Sequence, residues 1–310
     1  MPEDFQALPR LRDSLSYLYI EHAIIERNQS ALRVLQETGK TNVPIANLCV
    51  LLLGPGTTIT HDAVALLASS GVSTVWVGED GTHYYAQGVG ETHRAGHLLR
   101  QAELVSDPQK RQEVVMRMYE MRFGHTLDPA LTIEQIRGME GVRVRTAYAE
   151  ASRKYGVEWT GRAYDRSNWS NASPVNRALS AANAVLHGVC HAAIVSGGYS
   201  PGLGFLHSGW HLAFVYDIAD FYKVKLTVPL AFEIASESTA HIENRARAAC
   251  RERIRESKLL HQILPDIDHA LKIEGNSSEE EIGEELVAQP WWQPEEVELY
   301  EVPDDHHGIE

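Results

Sequence analysis

The hydrophobic period of this chain changes once, near Arg94, and that change limits the architectures open to it. Before it, apolar runs are short and punctuated by turns: Ser16-Tyr17-Leu18-Tyr19-Ile20, then Ile45 through Leu53, then Thr74-Val75-Trp76-Val77. Gly54-Pro55-Gly56 closes one run, and Gly78-Glu79-Asp80-Gly81 joins Val75-Trp76-Val77 to His83-Tyr84-Tyr85-Ala86 as an expected hairpin. One short helix is predicted from His61 to Ser69, stopped by Gly71. After Arg94 the spacing becomes that of helices. Asp107-Pro108 caps one that runs to Met121, and Thr132-x-x-Gln135 has capping-box form for one that runs to Tyr155 before Gly156. Ser173-Pro174 opens an Ala-rich helix over Val175–Val195, and further helices are expected over 215–221, 229–236 and 242–264. The fold class predicted is α+β. A β-rich N-terminal domain over residues 1–92 precedes an all-helical catalytic domain over 93–273 and an acidic tail over 274–310.

A chain of 310 residues is long enough for two cores. The formal net charge of −14 argues at first against a nucleic-acid partner, because phosphate binding is driven by Lys and Arg. Its distribution removes the objection. Thirteen acids and no Lys or Arg lie between Glu274 and Glu310, which leaves the rest of the chain within one charge of neutral. The tail cannot bury a core of its own, but Trp291 and Trp292 give it something to dock with. Cys49, Cys190 and Cys250 are far apart, with neither a disulfide framework nor thiolate metal spacing. The N-terminus has no basic and apolar leader, and no apolar run is expected to span a bilayer, so a cytoplasmic protein without a membrane partner is expected.

Chemistry concentrates between Phe205 and Asp220, where His207 precedes two carboxylates, Asp217 and Asp220. On a helix the two aspartates share a face and can converge on one ion or one water. A solvated face shows the same spacing. The surrounding Phe205, Leu206, Phe214, Val215, Ile218 and Phe221 are core-type residues, however, and an acid in an apolar segment normally has a charge partner. Phosphodiester chemistry on Mg²⁺ or Mn²⁺ needs oxygen ligands with an occasional imidazole. Glu140 is the candidate to complete the set, because glycines flank it in Arg137-Gly138-Met139-Glu140-Gly141 and each costs about 1 kcal/mol in a helix relative to Ala. Such glycines serve either close helix packing or close approach of a substrate.

Several ordered motifs carry a resemblance. Arg137–Tyr148, Gly204-Phe205-Leu206-His207 and Phe214–Asp220 resemble the CRISPR-associated integrase that captures new spacers, in the style of its type I-E branch. Leu53–Thr57, Val75–Glu79, Met121–Gly124 and Tyr155–Trp159 extend the likeness to about Lys258. The resemblance implies a β-rich domain joined to a helical catalytic domain, working as a homodimer with a small ferredoxin-like CRISPR-associated companion dimer. It implies metal ligands at Glu140, His207 and Asp220, with Asp217 as a supporting acid and catalytic residue. The implied activity is metal-dependent DNA cleavage and integration, in which a 3′-hydroxyl of a captured fragment attacks a phosphodiester of the repeat array. His211 is a competing ligand that the family pattern disfavours. Thr58, His83 and His22 depart from that branch, His22 standing where it can place a stacking Tyr.

For DNA contact, Arg247, Arg251 and Arg255 recur at four-residue spacing with Arg245 and Lys258 nearby, and Arg137, Arg143 and Arg145 surround Glu140. The alternative for the first group is an ordinary solvated helix paired with Glu252 and Glu256. Two other functions use the same side chains: a divalent-metal DNA repair-type nuclease that needs no companion, and a non-catalytic DNA-capture scaffold whose acids only organise the fold.

Overall fold

A computed structural model describes residues 17–45, 48, 50–79, 84–88, 95–162 and 172–273. Cys49, His83, the expected boundary at 92/93 and the acidic tail lie outside the described residues. Through Ile273 the described chain forms one compact unit.

The N-terminal part is built from two four-stranded sheets. The first has the order β1 (Tyr17–Ile20), β5 (Val50–Leu53), β7 (Ser73–Val77) and β8 (Tyr84–Gln87), parallel except at β8. The β7/β8 pair is the hairpin expected from the sequence. The second sheet has the order β4 (Gly39–Pro44), β3 (Ala31–Gln36), β2 (Ile24–Asn28) and β6 (Thr58–Ile59). Its three long strands were not evident in the sequence. β4 is exposed and polar and β2 buries only Ile25 in its length, so neither shows the apolar alternation that marks a strand; β3 alternates at Leu32 and Val34 but over a short run, and Gln29 in left-handed conformation makes the two-residue β2/β3 turn in place of the usual glycine.

β5 is fully buried because both of its faces are covered. Val50 and Leu52 join the helical core, while Leu51 and Leu53 join the core between the sheets, together with Ala63 and Leu67 of α1 (His61–Ser69). The N-terminal sheet and the helices therefore share apolar packing through Val50, Leu52, Val75 and Val77.

The helical part comprises α2 (Gly96–Ser106), α3 (Pro108–Phe123), α4 (Ile133–Tyr155), α5 (Pro174–Ser196), α6 (Ala213–Ala219), α7 (Thr227–Glu237), α8 (Ile242–Glu256) and α9 (Leu259–Leu271). Asp107 caps α3, Thr132 and Gln135 form the reciprocal capping box of α4, and Gly156 ends α4 at φ 65°. The single helix expected over 242–264 is instead two. Lys258 adopts φ 51°, which turns the chain so that Leu259, Leu260 and Ile263 reach the core from a new direction. The axis of the assembly is α5, packed against α6, α7, α8, α9 and β7. Contrary to the sequence expectation, α5 is long and apolar enough to cross a membrane, but its most apolar window is 67% buried inside the protein. Cys190 on α5 and Cys250 on α8 are buried free thiols, and burial raises the pKa of both.

Candidate active site

Four segments converge on one point: the end of α3, the middle of α4, the loop before α6 and the C-terminal end of α6. Arg122 is the hinge of this arrangement, with a side chain only 5% exposed. Its Nη2 lies 3.2 Å from Asp220 Oδ2 and 3.2 Å from the Asp217 carbonyl oxygen, and its Nη1 lies 3.8 Å from Glu140 Oε1. One buried guanidinium thus joins two carboxylates that are 80 residues apart in sequence. Arg143 forks onto Glu140 at 2.7 and 2.8 Å, and Lys223 reaches Asp220 at 2.8 Å. Burial by itself would raise the Asp220 carboxyl, but Lys223 and Arg122, with His207 nearby, outweigh it and hold the group below the ordinary carboxylate range.

The two aspartates do not converge on one point as their spacing suggested. Asp217 is fully buried and takes hydrogen bonds from the backbone N–H groups of Phe205 at 2.6 Å, Leu206 at 3.1 Å and His207 at 2.9 Å. Its Oδ1 also lies 2.7 Å from His207 Nδ1. A carboxylate accepts, so a proton sits on Nδ1, and Nε2 is the ring nitrogen left for other partners. Asp217 therefore holds the loop and the His207 ring, while Asp220, at the end of α6, turns to Arg122 and Lys223 instead.

Gly204 explains how so tight a loop can form. A Cβ there would sit 2.5 Å from the His207 carbonyl oxygen and 2.8 Å from the backbone of Ala213, so only glycine lets the chain fold onto α6. Arg111 supports the same loop by donating from Nε and Nη2 to the Phe205 carbonyl at 3.1 and 2.9 Å. The glycines beside Glu140 are different. A Cβ at Gly138 would meet nothing within 4 Å, and one at Gly141 would meet only the far end of Arg145. Within the described chain, packing of a neighbouring helix is therefore not the reason for Gly138.

Among the described residues, no three His, Cys, Asp or Glu side chains form a ready-made metal cluster. Glu140 and Asp220 face basic partners. The donor set is nonetheless of the right kind for a hard divalent ion: two carboxylates, one of them held ionised, and an imidazole whose second nitrogen is fixed by a carboxylate. His211 is exposed on the surface.

The remaining candidates divide. Arg137 and Arg145 are exposed on α4. On α8 the buried stripe is Ile242, Ala246, Cys250 and Ile254; Arg247 and Arg251 are half-buried beside it, and Arg255 and Lys258 are exposed. Arg245 pairs with Glu237, Arg247 with Asn244 and Arg255 with Glu252, which is the paired-helix alternative in part. Sequence reasoning missed Arg122, Lys223 and His187. Lys223 carried a signal, three residues beyond Asp220. Arg122 carried only its place in an apolar helix end. His187 lies on α5 with its ring 5.0 Å from that of Tyr216, which also packs against His207 at 5.9 Å; burial depresses its pKa to about 3.

A β-rich domain joined to a helical domain, with an acid-and-imidazole site ringed by arginine and lysine, defines a class of protein rather than a single activity. The family model described as "CRISPR associated protein Cas1" matches residues 16–127 and 121–257, and the chain belongs to that family. It is 51% identical to CRISPR-associated endonuclease Cas1 2 of Thermus thermophilus over 287 residues, covering 93% of this chain and 88% of that protein. It is 41% identical to CRISPR-associated endonuclease Cas1 of Escherichia coli over 262 residues, covering 84% and 87%. The crystal structure of a TtCas1–DNA complex superposes with a TM-score of 0.75 at 52% identity, covering 86% of this chain and all of that one. A casposase bound to integration product shares the fold alone, at 13% identity and a TM-score of 0.54, over 83% of this chain and 95% of that one.

Proposed function

We propose that this chain is a divalent-metal-dependent DNA endonuclease and integrase that inserts captured DNA fragments into a CRISPR array. The observation that carries the reading is the buried Arg122, which draws Glu140 and Asp220 together beside a His207 oriented by Asp217. The family supports a nuclease role in CRISPR defence, and the DNA complex of a relative at 52% identity supports DNA as the substrate.

Glu140, Asp220 and the Nε2 of His207 are the groups that would hold Mg²⁺ or Mn²⁺. When bound, such an ion lowers the pKa of a hydroxyl nucleophile and braces the scissile phosphate. The chain's own residues do the positioning. Asp217 holds a proton at Nδ1 and fixes the imidazole in direction, which leaves Nε2 as the atom for a ligand. Arg143 and Lys223, at the rim, offer charge-assisted hydrogen bonds to phosphate oxygens. A homodimer and a small companion dimer complete the proposed working complex.

Strand joining is the test. Duplexes with free 3′-hydroxyls, Mg²⁺ and a supercoiled repeat plasmid are expected to give covalent insertion only when the companion is added. Cutting without joining under those conditions would reduce the activity to that of a plain nuclease.

A further inference from the structure

Glu140 and Asp220 are already matched by positive charge. Arg143 forks onto Glu140 at 2.7 and 2.8 Å, Lys223 lies 2.8 Å from Asp220, and Arg122 lies between the two acids, at 3.8 Å from the first and 3.2 Å from the second. Asp217, the third carboxylate, is taken up by the backbone of its loop and by the His207 ring. Three carboxylates thus meet three cations, and Arg111 adds a further positive charge behind the loop, on the Phe205 carbonyl. Such a site lacks the excess of negative charge that by itself draws in a divalent ion.

The three cations differ in how far they can move. Lys223 and Arg143 expose 26% and 23% of their side chains, and their long stems let both charged heads turn onto a phosphate oxygen. Arg122 has no such freedom. Its Nη2 donates to the Asp217 carbonyl at 3.2 Å, a contact with backbone rather than with either acid. Its guanidinium lies 5.6 Å from the centre of the Tyr119 ring and 5.9 Å from that of Phe221. An arginine does not give up its proton to relieve crowding, so this charge stays beside Glu140 and Asp220 whatever those acids hold.

A divalent ion is the largest local charge in any site it enters. Placed between acids that are already matched, it leaves an excess of positive charge away from bulk water, which is costly unless anions arrive with it. Phosphate oxygens are such anions, and hard ions are commonly held by one or two carboxylates together with the phosphates of a substrate. Phosphates also draw Lys223 and Arg143 off their carboxylates, which frees those acids for the ion. We infer that Arg122 is a positioning residue that couples the ion to DNA: its fixed charge keeps Glu140 and Asp220 from holding a divalent ion firmly until a DNA phosphate supplies the balancing charge. This rests on the metal-dependent DNA reading above and adds to it how the site is loaded. The coupling is reciprocal, so the ion tightens DNA by the factor by which DNA tightens the ion.

The test titrates Mn²⁺ into the full-length chain and follows the free ion by electron paramagnetic resonance, with and without a saturating short duplex, read before cutting proceeds. The duplex alone is titrated to subtract the ions it holds itself. The wild-type chain is expected to bind Mn²⁺ about tenfold more tightly, or better, with DNA than without it. Arg122→Met removes the charge and keeps most of the bulk; it should tighten Mn²⁺ without DNA by about tenfold and shrink the effect of DNA to within about twofold. Arg122→Lys keeps the charge and should keep most of the coupling. A residue that only held the fold would lose the ion when replaced rather than gain it. Equal Mn²⁺ affinity with and without DNA in the wild-type chain would overturn the inference and leave the metal site standing, and so would a folded Arg122→Met that binds the ion no better than wild type. The two wild-type titrations decide the coupling even where Arg122→Met fails to fold. A wild-type chain that takes up no Mn²⁺ in either condition would defeat the functional reading and the inference with it.

Discussion

Helices α4 and α5 are each 23 residues long and meet opposite fates. α5 is buried along most of its length, from Val175 to Ser196, and is the element on which the other helices pack. α4 buries Ile136 and Ala151, carries exposed Met139 and Val142, and contains two glycines over open space. A helix with so little core contact draws its stability from its ends, here a capping box and a left-handed glycine. The comparison teaches where function sits: α5 uses its side chains to hold the fold, while α4 buries few and turns Glu140 to the basic pair Arg122 and Arg143.

The sharpest way to break that comparison is to truncate apolar residues on both helices. Leu186→Ala on α5, fully buried, should cost about 2–5 kcal/mol of stability, whereas Val142→Ala on α4, 56% exposed, should change it by less than ~0.5 kcal/mol. Urea unfolding of the two variants reads both values, and comparable losses would end the distinction.

Acid should attack α5 first. Burial, together with Lys223 in the case of His187 and His211 in the case of His191, depresses these imidazoles to about 3 and about 4. Their folded values lie below the unfolded one, so the unfolded chain binds protons that the folded chain refuses. Stability is then full above about pH 6.5 and declines as pH falls toward those folded values, by roughly 2 kcal/mol per histidine at pH 5. His191 is stacked on Tyr84 of β8 with ring centroids 3.8 Å apart, so His191→Phe keeps the stack and should flatten part of the decline in a pH series of melting temperatures.

A modest gain in stability is expected on α4. Gly138→Leu fills open space in a helix interior and should stabilise the chain by about 1 kcal/mol. Two residues apart on a helix, Gly138 and Glu140 point to different faces, so the same variant should leave cleavage within about twofold of wild type. A tenfold loss of cleavage in a stably folded variant would show that a substrate strand crosses the Gly138 face.

The sequence was legible wherever a local rule and the tertiary structure agreed. Thr132 with Gln135, Asp107 with Pro108, and Gly156 placed helix ends because capping is settled within a few residues. β2 and β4 were not legible, since their partners rather than their own pattern make them strands, and β3 alternates only at Leu32 and Val34, too short a run to stand out. Lys258 split an apparently continuous helix for a tertiary reason, the need of Leu259 and Ile263 for the core. In the site, residue types pointed to Glu140, His207, Asp217 and Asp220, but the three-residue spacing of the aspartates suggested convergence. Their division of labour depends on the loop at Phe205–His207 folding back onto Asp217, a contact that spacing along one helix cannot express. Arg122, which joins the two acids, was hidden because its partners lie on two other helices.

The central claim is that Glu140, His207 and Asp220 act together on one divalent ion. Mn²⁺ titration followed by electron paramagnetic resonance, with DNA cleavage measured on the same samples, tests it most directly. The wild-type chain should bind one Mn²⁺ and cut DNA, while Glu140→Ala, His207→Ala and Asp220→Ala should each lose the ion and lower cleavage by on the order of 10²-fold or more, with DNA binding in EDTA retained. Unchanged Mn²⁺ binding and unchanged cleavage across the three variants would contradict the account.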